Sequence, residues 1–409
     1  MTTSRLTRDA QRILWAQAVR ALAYGFGAVL LGATLDREGF SSGEVGLVLA
    51  AVVAGTVVSS LAVGRWGDRW GRRRSYIALY LALAVTGVVF AFSDQVWALS
   101  AVALTGALST EVVESGAFTS LEQSMLATEL TGQERIRGFG TYNAVATAAG
   151  SVGALAAGAP DLLRRFWSGT PVDQRFFLLF VPAAFAGAAV ACTLSGRVEA
   201  APRPRDQRRT AGLGRSRSAV LRLAGLFAVD SFGGGFVVQS FIAYWFAVQF
   251  DASTGVLGVI FFVVGVLQTA SFLAAARLAE RFGLLRTMVF THLPSNALLV
   301  AIPFAPSLLG AALLLFGRTA LAQMDVPTRQ AYVMALVDPD ERTPAAAVTN
   351  TARYVARPAG PALAGVSQSL AFGLPFFLAG AIKSAYDVVL WRWFRAVPLP
   401  EEPASSART

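Results

Sequence analysis

Apolar residues run along this chain in long blocks, parted by short polar segments rich in arginine. Twelve blocks occupy roughly 13–35, 43–65, 75–93, 96–118, 138–159, 176–196, 219–248, 254–276, 287–304, 308–330, 346–369 and 374–394. About 20 apolar residues in a helix cross the hydrocarbon layer of a bilayer. The blocks are too long for membrane strands and lack a period of two. In lipid, a helix satisfies its own backbone groups. The pattern predicts an all-α membrane protein with twelve transmembrane helices.

Composition agrees with that pattern. Of 409 residues 55% are hydrophobic, the mean hydropathy is +0.54 and only 15% are charged. Soluble domains carry about a quarter charged residues. Twelve spans would use roughly 240 residues, leaving loops and tails but no large soluble appendage. The net charge of +10 and a pI near 10.5 raise the question of nucleic acid. The charge is almost all arginine, with Lys383 the only lysine, and it clusters between apolar runs as in cytoplasmic loops. The partners expected are therefore the lipid bilayer and a small-molecule substrate, with no nucleic acid and a monomeric chain. One cysteine, Cys192, and one histidine, His292, exclude a disulfide framework and a Cys/His zinc site. Both lie in apolar runs, where packing and a hydrogen-bonded ring are the plain readings. No cleavable signal peptide is evident between Met1 and Arg12.

Arginine placement orients the spans. The side holding the N-terminus takes Arg5, Arg8 and Arg12, the run Arg65 to Arg74, Arg135 and Arg137, and the run Arg197 to Arg222. It also takes Arg277, Arg281, Arg286, Arg329, Arg342, Arg392, Arg395 and Arg408. The other side has Arg37, Arg164, Arg165 and Arg175. This asymmetry places both termini in the cytoplasm of a bacterial-type inner membrane, which requires an even number of spans.

The halves repeat each other. Gly64, Asp68, Arg69, Gly71 and Arg74 recur 212 residues later as Ala276, Glu280, Arg281, Gly283 and Arg286. At an offset of 207, Arg135, Asn143, Gly153 and Gly158 meet Arg342, Asn350, Gly360 and Gly365. Near 210, Arg20 and Gly25 fall opposite Asp230 and Gly235. Parallel six-span repeats are one way in which transporters are built. The expected organisation is a six-helix bundle over 1–196, a basic cytoplasmic linker over 197–218, a second bundle over 219–396 and a tail over 397–409.

The segment Gly64-Arg-Trp-Gly-Asp68-Arg69-Trp-Gly71-Arg72-Arg73-Arg74 resembles the loop signature of the major facilitator superfamily, and it joins the second and third spans with a weaker echo at Glu280 and Arg281. The resemblance implies two pseudo-symmetric six-helix bundles, a cytoplasmic latch at this loop, and transport by alternating access. Gly150, Gly153 and Gly158 in span five, with Gly360 and Pro361 in span eleven, are similar to the glycine-proline pattern of antiporters in that family. Ala154 stands where that pattern has proline, and close helix packing through small residues is the simpler role. The arginine motif of span four is absent: Glu111 takes its place, with Arg318 as repeat-mate.

Charges inside spans cost roughly 2.5–3.5 kcal/mol each and mark cavities. They are Arg20, Glu111, Glu114, Asp230, Arg318, Asp325, Arg353 and Arg357, on spans one, four, seven, ten and eleven. In the family these spans line or flank the central cavity. Arg20 and Asp230 are expected to form a cavity pair, either one that re-pairs in transport or a fixed one. Glu111 and Glu114, three apart on one helical face, either hold a transported proton or pair with Arg318, Arg353 or Arg357. Arg353 and Arg357 either meet an anionic substrate or pair with cavity acids. Lys383 and Asp387, four apart, read as a structural pair. Glu122, Gln123 and Asp325-Val-Pro327 lie near cytoplasmic helix ends and read as gate residues.

No Gly-Lys-Ser/Thr phosphate loop, Gly-x-Ser-x-Gly turn or metal cluster is present. An ATP-driven pump and a membrane enzyme are thereby excluded. The expectation is a secondary transporter that uses a proton gradient and no cofactor, exporting a small organic molecule. The alternatives are uptake of an anionic metabolite by symport or facilitated diffusion and, in another class, a non-transporting receptor. Substrate identity is not readable from these residues.

Overall fold

The structure is a computed structural model that describes residues 7–113, 116–129, 132–199, 213–338 and 341–397. Its helices are α1 (Arg8–Arg37), α2 (Ser42–Trp70), α3 (Arg72–Phe92), α4 (Val96–Ala103), α5 (Ala117–Glu129) and α6 (Gly132–Ala156). Next come α7 (Ala159–Phe166), α8 (Phe180–Thr193), α9 (Arg217–Gly235), α10 (Gln239–Phe250), α11 (Thr254–Phe282) and α12 (Leu284–Ala301). The last are α13 (Leu308–Ala322), α14 (Asp325–Leu336), α15 (Arg342–Ala356), α16 (Ala359–Leu370) and α17 (Leu374–Phe394). Among the described residues there is no strand.

Nine of these helices or consecutive helix pairs are, among the described residues, long and apolar enough to cross a membrane. Their outer faces carry Val58, Leu61, Leu81, Val85, Leu273 and Leu313, all exposed, while charged side chains such as Arg20 and Asp230 are inside. That inversion is what a lipid solvent selects. Cys192 also lies exposed on α8, so the packing role expected for it is not the one it has.

Several expected spans are interrupted. Span four, read as one run over 96–118, is helical in α4 and α5 but not over the described residues 104–113 and 116. Gly106 and Gly116, with φ of 71° and 69°, turn the backbone out of the helix there. Glu111 therefore stands on an irregular segment, and Glu114, its expected companion, lies outside the described residues. Span seven breaks after Gly235, span ten just ahead of Asp325, and span eleven at Arg357-Pro358. A proline removes a backbone donor and crowds the preceding turn, which accounts for the last break.

The signature segment is not a loop. α2 continues through Gly64, Asp68 and Arg69 to Trp70, and Gly71 alone separates it from α3. Gly71 has φ 94° and its repeat-mate Gly283, between α11 and α12, has φ 85°. Only glycine adopts such angles without strain. Gly64 needs neither small size nor unusual angles, because nothing lies within 4 Å of the Cβ it lacks. Arg72 is the buried arginine of the motif. Its Nε donates to Asp68 Oδ1 at 2.9 Å, and its Nη1 reaches the carbonyls of Ser124 and Val198. The carboxylate of Glu199 accepts from the backbone N–H groups of Arg72 and Arg73 at 2.7 and 3.2 Å, at the positive end of α3. Arg69, Glu280 and Arg281 are exposed.

The chain packs as two compact units. The first gathers the described residues up to 199 with 237–266 and 361–370. Here α1 packs along α6 so closely that a Cβ at Gly25 would strike the backbone of Gly150, and one at Gly153 the backbone of Leu22. Pro361 presses its carbonyl oxygen against Gly46, 2.6 Å from where a Cβ would be, and Gly158 lies against Gly255 at 2.8 Å by the same measure. Asp161, on α7, accepts from the Thr254 hydroxyl and the Gly255 N–H, both at 2.8 Å, capping α11. Arg164 bridges Asp161 to Asp173, which also binds Arg37.

The second unit holds the described residues of 213–236, 267–360 and 371–397. There the start of α16 meets α9 with Gly360 against Gly235, where a Cβ would fall 2.5 Å from the neighbouring Cα. The contact reproduces the α1–α6 crossing at the matching repeat positions.

Gly360→Val should therefore lower thermal stability by about 1–3 kcal/mol through overpacking, whereas Gly64→Ala should leave the melting temperature of purified protein unchanged. Burial raises the Asp161 pKa, but hydrogen bonds from Gly255 and Thr254 and the charges of Arg37 and Arg164 outweigh it and hold it low. Its cap on α11 should thus be intact at neutral pH and be lost on acidification below about pH 4. Asp161→Asn should remove that acid-dependent part of the melting shift.

Candidate functional site

Each unit buries one cluster of ionised side chains within its membrane-spanning helices. In the first unit, Arg20 on α1 meets Glu122 on α5, both side chains fully buried. Arg20 Nη2 donates to Glu122 Oε2 at 2.6 Å and its Nε to Oε1 at 3.3 Å. Tyr76 on α3 and Tyr142 on α6 each donate a hydroxyl to the same carboxylate at 2.6 Å. Tyr80 donates to the Ala16 carbonyl, and Tyr24 to that of Ala107. The guanidinium carbon also lies 5.0 Å from the Phe118 ring centroid. One cation and one anion, ringed by phenols, make a neutral set whose polar atoms have partners.

In the second unit, Asp230 on α9 is the hub. Lys383 Nζ on α17 donates to its Oδ1 at 2.5 Å, and Arg329 Nη1 on α14 stands 3.5 Å from Oδ2. Arg329 is bound more closely by Asp325, at 2.6 Å. His292 on α12 has Nε2 at 4.0 Å from Asp230 and Nδ1 at 2.9 Å from Asp387 Oδ2. Asn296, one turn further along α12, donates to the same Asp387 oxygen at 2.8 Å. All of these side chains are buried. A close approach of α17 to Gly233, with the Lys383 stem 3.0 Å from where a Cβ would be, brings the lysine to Asp230.

These partners differ from the expected ones. Arg20 and Asp230 are each paired inside their own unit, with Glu122 and Lys383 respectively, rather than with each other. Glu122 is a buried counter-ion, not a residue of a helix-end gate. Lys383 and Asp387, four apart on one helix, bind Asp230 and His292 in place of a pair of their own. Arg329 belongs to the buried cluster and not to a basic loop, because α14 carries it inward. Asp325 joins that cluster. Arg318 on α13, with Arg353 and Arg357 at the end of α15, is partly exposed. Among the described residues no group of three or more His, Cys, Asp or Glu is placed to hold a metal ion.

The tyrosines and His292, Asn296 and Asp387 were not among the expected site residues. A signal for part of the set exists in the repeat. At the offset of 207, Glu122 falls on Arg329; at 210, Arg20 falls on Asp230. The two halves thus place an ion pair at matching positions with its polarity reversed. Tyr80 falls on His292 at 212.

A helical protein with exposed apolar faces, interrupted spans and charges buried inside them has the make-up of a polytopic membrane transporter. Comparison with known proteins gives the same class. The model of the Major Facilitator Superfamily matches residues 13–361. An uncharacterized membrane protein of Saccharomyces cerevisiae, YJR124C, is 26% identical, with 94% of each chain covered. Similar solved structures include a D-xylose-proton symporter, at TM-score 0.70 and 14% identity over 94% of this chain and 98% of that one. The nucleoside transporter NupG has TM-score 0.66 and 16% identity over 95% and 99%. A bacterial homolog of the human lysosomal transporter Spinster, in an inward-facing occupied conformation, has TM-score 0.70 and 15% identity over 94% and 97%. The chain belongs to the Major Facilitator Superfamily. It is a multi-pass membrane protein and a secondary transporter of small molecules rather than an enzyme.

Removing one partner of a buried pair strands the other charge, at a cost on the order of 3–5 kcal/mol. Glu122→Gln should accordingly lower the melting temperature sharply, and Arg20→Met combined with Glu122→Leu should recover most of the loss. Thermal unfolding of purified Glu122→Gln, and of Arg20→Met, Glu122→Leu and their combination as a double-mutant cycle, checks this.

Proposed function

We propose that this chain is a twelve-span, proton-coupled transporter of the antiporter type that exports a small organic molecule by alternating access. The observation that carries proton coupling is the second unit's cluster, where three carboxylates and the only imidazole of the chain are buried inside spans. Ionisable groups are retained in such surroundings at a cost, and proton relays are a principal use of them. The first unit's pair, neutral and capped by tyrosines, is suited to a fixed structural role.

The twelve spans are the nine apolar ones plus α4 with α5, α6, and α15 with α16, each interrupted or carrying polar residues. Two six-span halves, 1–196 and 219–396, joined by the basic linker 197–218, follow from the repeat. The arginine asymmetry supports placing both termini in the cytoplasm of a bacterial inner membrane. Gly150, Gly153 and Gly158, matched by Gly360, support the antiporter reading through their close helix crossings. Arg318, Arg353 and Arg357, partly exposed, favour a second reading, in which an anionic metabolite is taken up with protons.

Reconstitution into proteoliposomes separates the two. Candidate drugs and organic anions that raise the melting temperature of the purified protein are tested for flux under an imposed pH gradient. Export predicts that solute moves against the proton flow, and uptake that it moves with it. Asp230→Asn should abolish gradient-driven accumulation while insertion into the membrane stays normal. Wild-type accumulation in that variant would defeat the assignment of the cluster to coupling.

A further inference from the structure

The second unit's cluster is one positive charge short, and the geometry says where the missing proton belongs. Its carboxylates are Asp230, Asp325 and Asp387, and its permanent cations are Arg329 and Lys383. With a neutral imidazole the set carries one net negative charge; with one added proton it is neutral. An uncompensated charge buried away from water is costly, so the cluster as a whole favours taking up one proton.

Asp230 has two cations against it and Asp325 has Arg329 at 2.6 Å. Asp387 alone faces no permanent cation: its partners are His292 Nδ1 at 2.9 Å and the Asn296 amide at 2.8 Å. Tyr386, beside it on α17, adds a phenol, not a charge. The elements packed around the pair supply Asp230 from α9, and Asp325 and Arg329 from α14. Arg318 on α13, Arg353 on α15 and Arg357 at its end are partly exposed, and none of them is an ion-pair partner of Asp230, Asp325 or Asp387. Arg222, Arg286 and Arg392 are exposed toward the helix ends.

We propose that the His292–Asp387 pair, on α12 and α17, holds the single proton that this transporter exchanges in each cycle. This rests on the proton-coupled reading above and gives it a site and a stoichiometry. The proton lies between Nδ1 and the carboxylate, and Nε2, at 4.0 Å from Asp230, links it to the Lys383 pair. When the cluster opens to water, hydration compensates its remaining negative charge and the proton is released; when it is shut off from water again, one proton is taken up.

His292 is the only histidine of the chain, so protein labelled with ¹⁵N-histidine, carrying no polyhistidine tag, reports on this site alone. In liposomes, the wild-type imidazole should pass through one protonation step on titration, with about one proton taken up by the cluster per protein. Asp387→Asn leaves two carboxylates against two cations, so the cluster should no longer take up a proton over the same titration. His292→Asn, followed with a pH indicator, keeps three carboxylates against two cations and should still take up one proton, now at Asp387; it covers the case in which the first variant does not fold, because loss of that uptake would overturn the charge count. An unshifted imidazole titration in Asp387→Asn would overturn the proposal. So would proton-driven flux retained by that variant, which would leave coupling itself intact. A wild type that shows the one-proton step but no response of flux to a pH gradient would overturn the coupling reading and, with it, the claim that this proton is exchanged in transport.

Discussion

A charge inside a helix bundle solvated by lipid has to find its counter-charge within the protein. The idealised penalty for moving such an ion from water to a medium of low dielectric is of order 20 kcal/mol, far beyond what packing of neighbouring side chains returns. The helix arrangement around each cluster follows from this demand. Glu122 draws α1, α3 and α6 toward α5, because its oxygens are shared by Arg20, Tyr76 and Tyr142. Asp230 does the same for α12, α14 and α17 around α9. The close glycine contacts between α1 and α6, and between α9 and the start of α16, allow the helices to approach this far.

The two halves use one plan with opposite polarity. Where one has a buried arginine on its first helix and a glutamate opposite, the other has an aspartate on its first helix and an arginine opposite. Inverting both members preserves the attraction. The surroundings have diverged: phenols complete the first pair, whereas Lys383, His292, Asp325 and Asp387 enlarge the second. A repeat can therefore keep its backbone geometry while the two copies come to hold different numbers of ionisable groups.

Hydropathy made the membrane character and the helical class legible, since both depend on runs of composition that any window along the chain detects. Pro358 and the glycines at 233–235 are sequence features from which two of the helix breaks could have been read. The break between Leu104 and Gly116 left little trace, because its residues stay mostly apolar or small and its cause is backbone angle at two glycines. The site was less readable. Arg329 lies at the edge of an apolar run and looks like a loop arginine until α14 is seen to carry it inside. The i,i+4 spacing of Lys383 and Asp387 points to a local pair, yet partners 153 and 95 residues away hold them. Such pairings depend on which helix faces meet, and periodicity along one helix carries no information about its neighbour. The internal repeat does carry some: Glu122 and Arg329 share the register of Asn143 and Asn350.

The junctions at Gly71 and Gly283 have a mechanical meaning. One residue spans the turn from Trp70 to Arg72, and one the turn from Phe282 to Leu284. Such hairpins have no slack: a sliding or tilting of one arm is passed on to the other almost undiminished, as at the elbow of a stiff lever. Glu199, clamped on the first peptide groups of α3, pins that elbow to the chain just beyond α8.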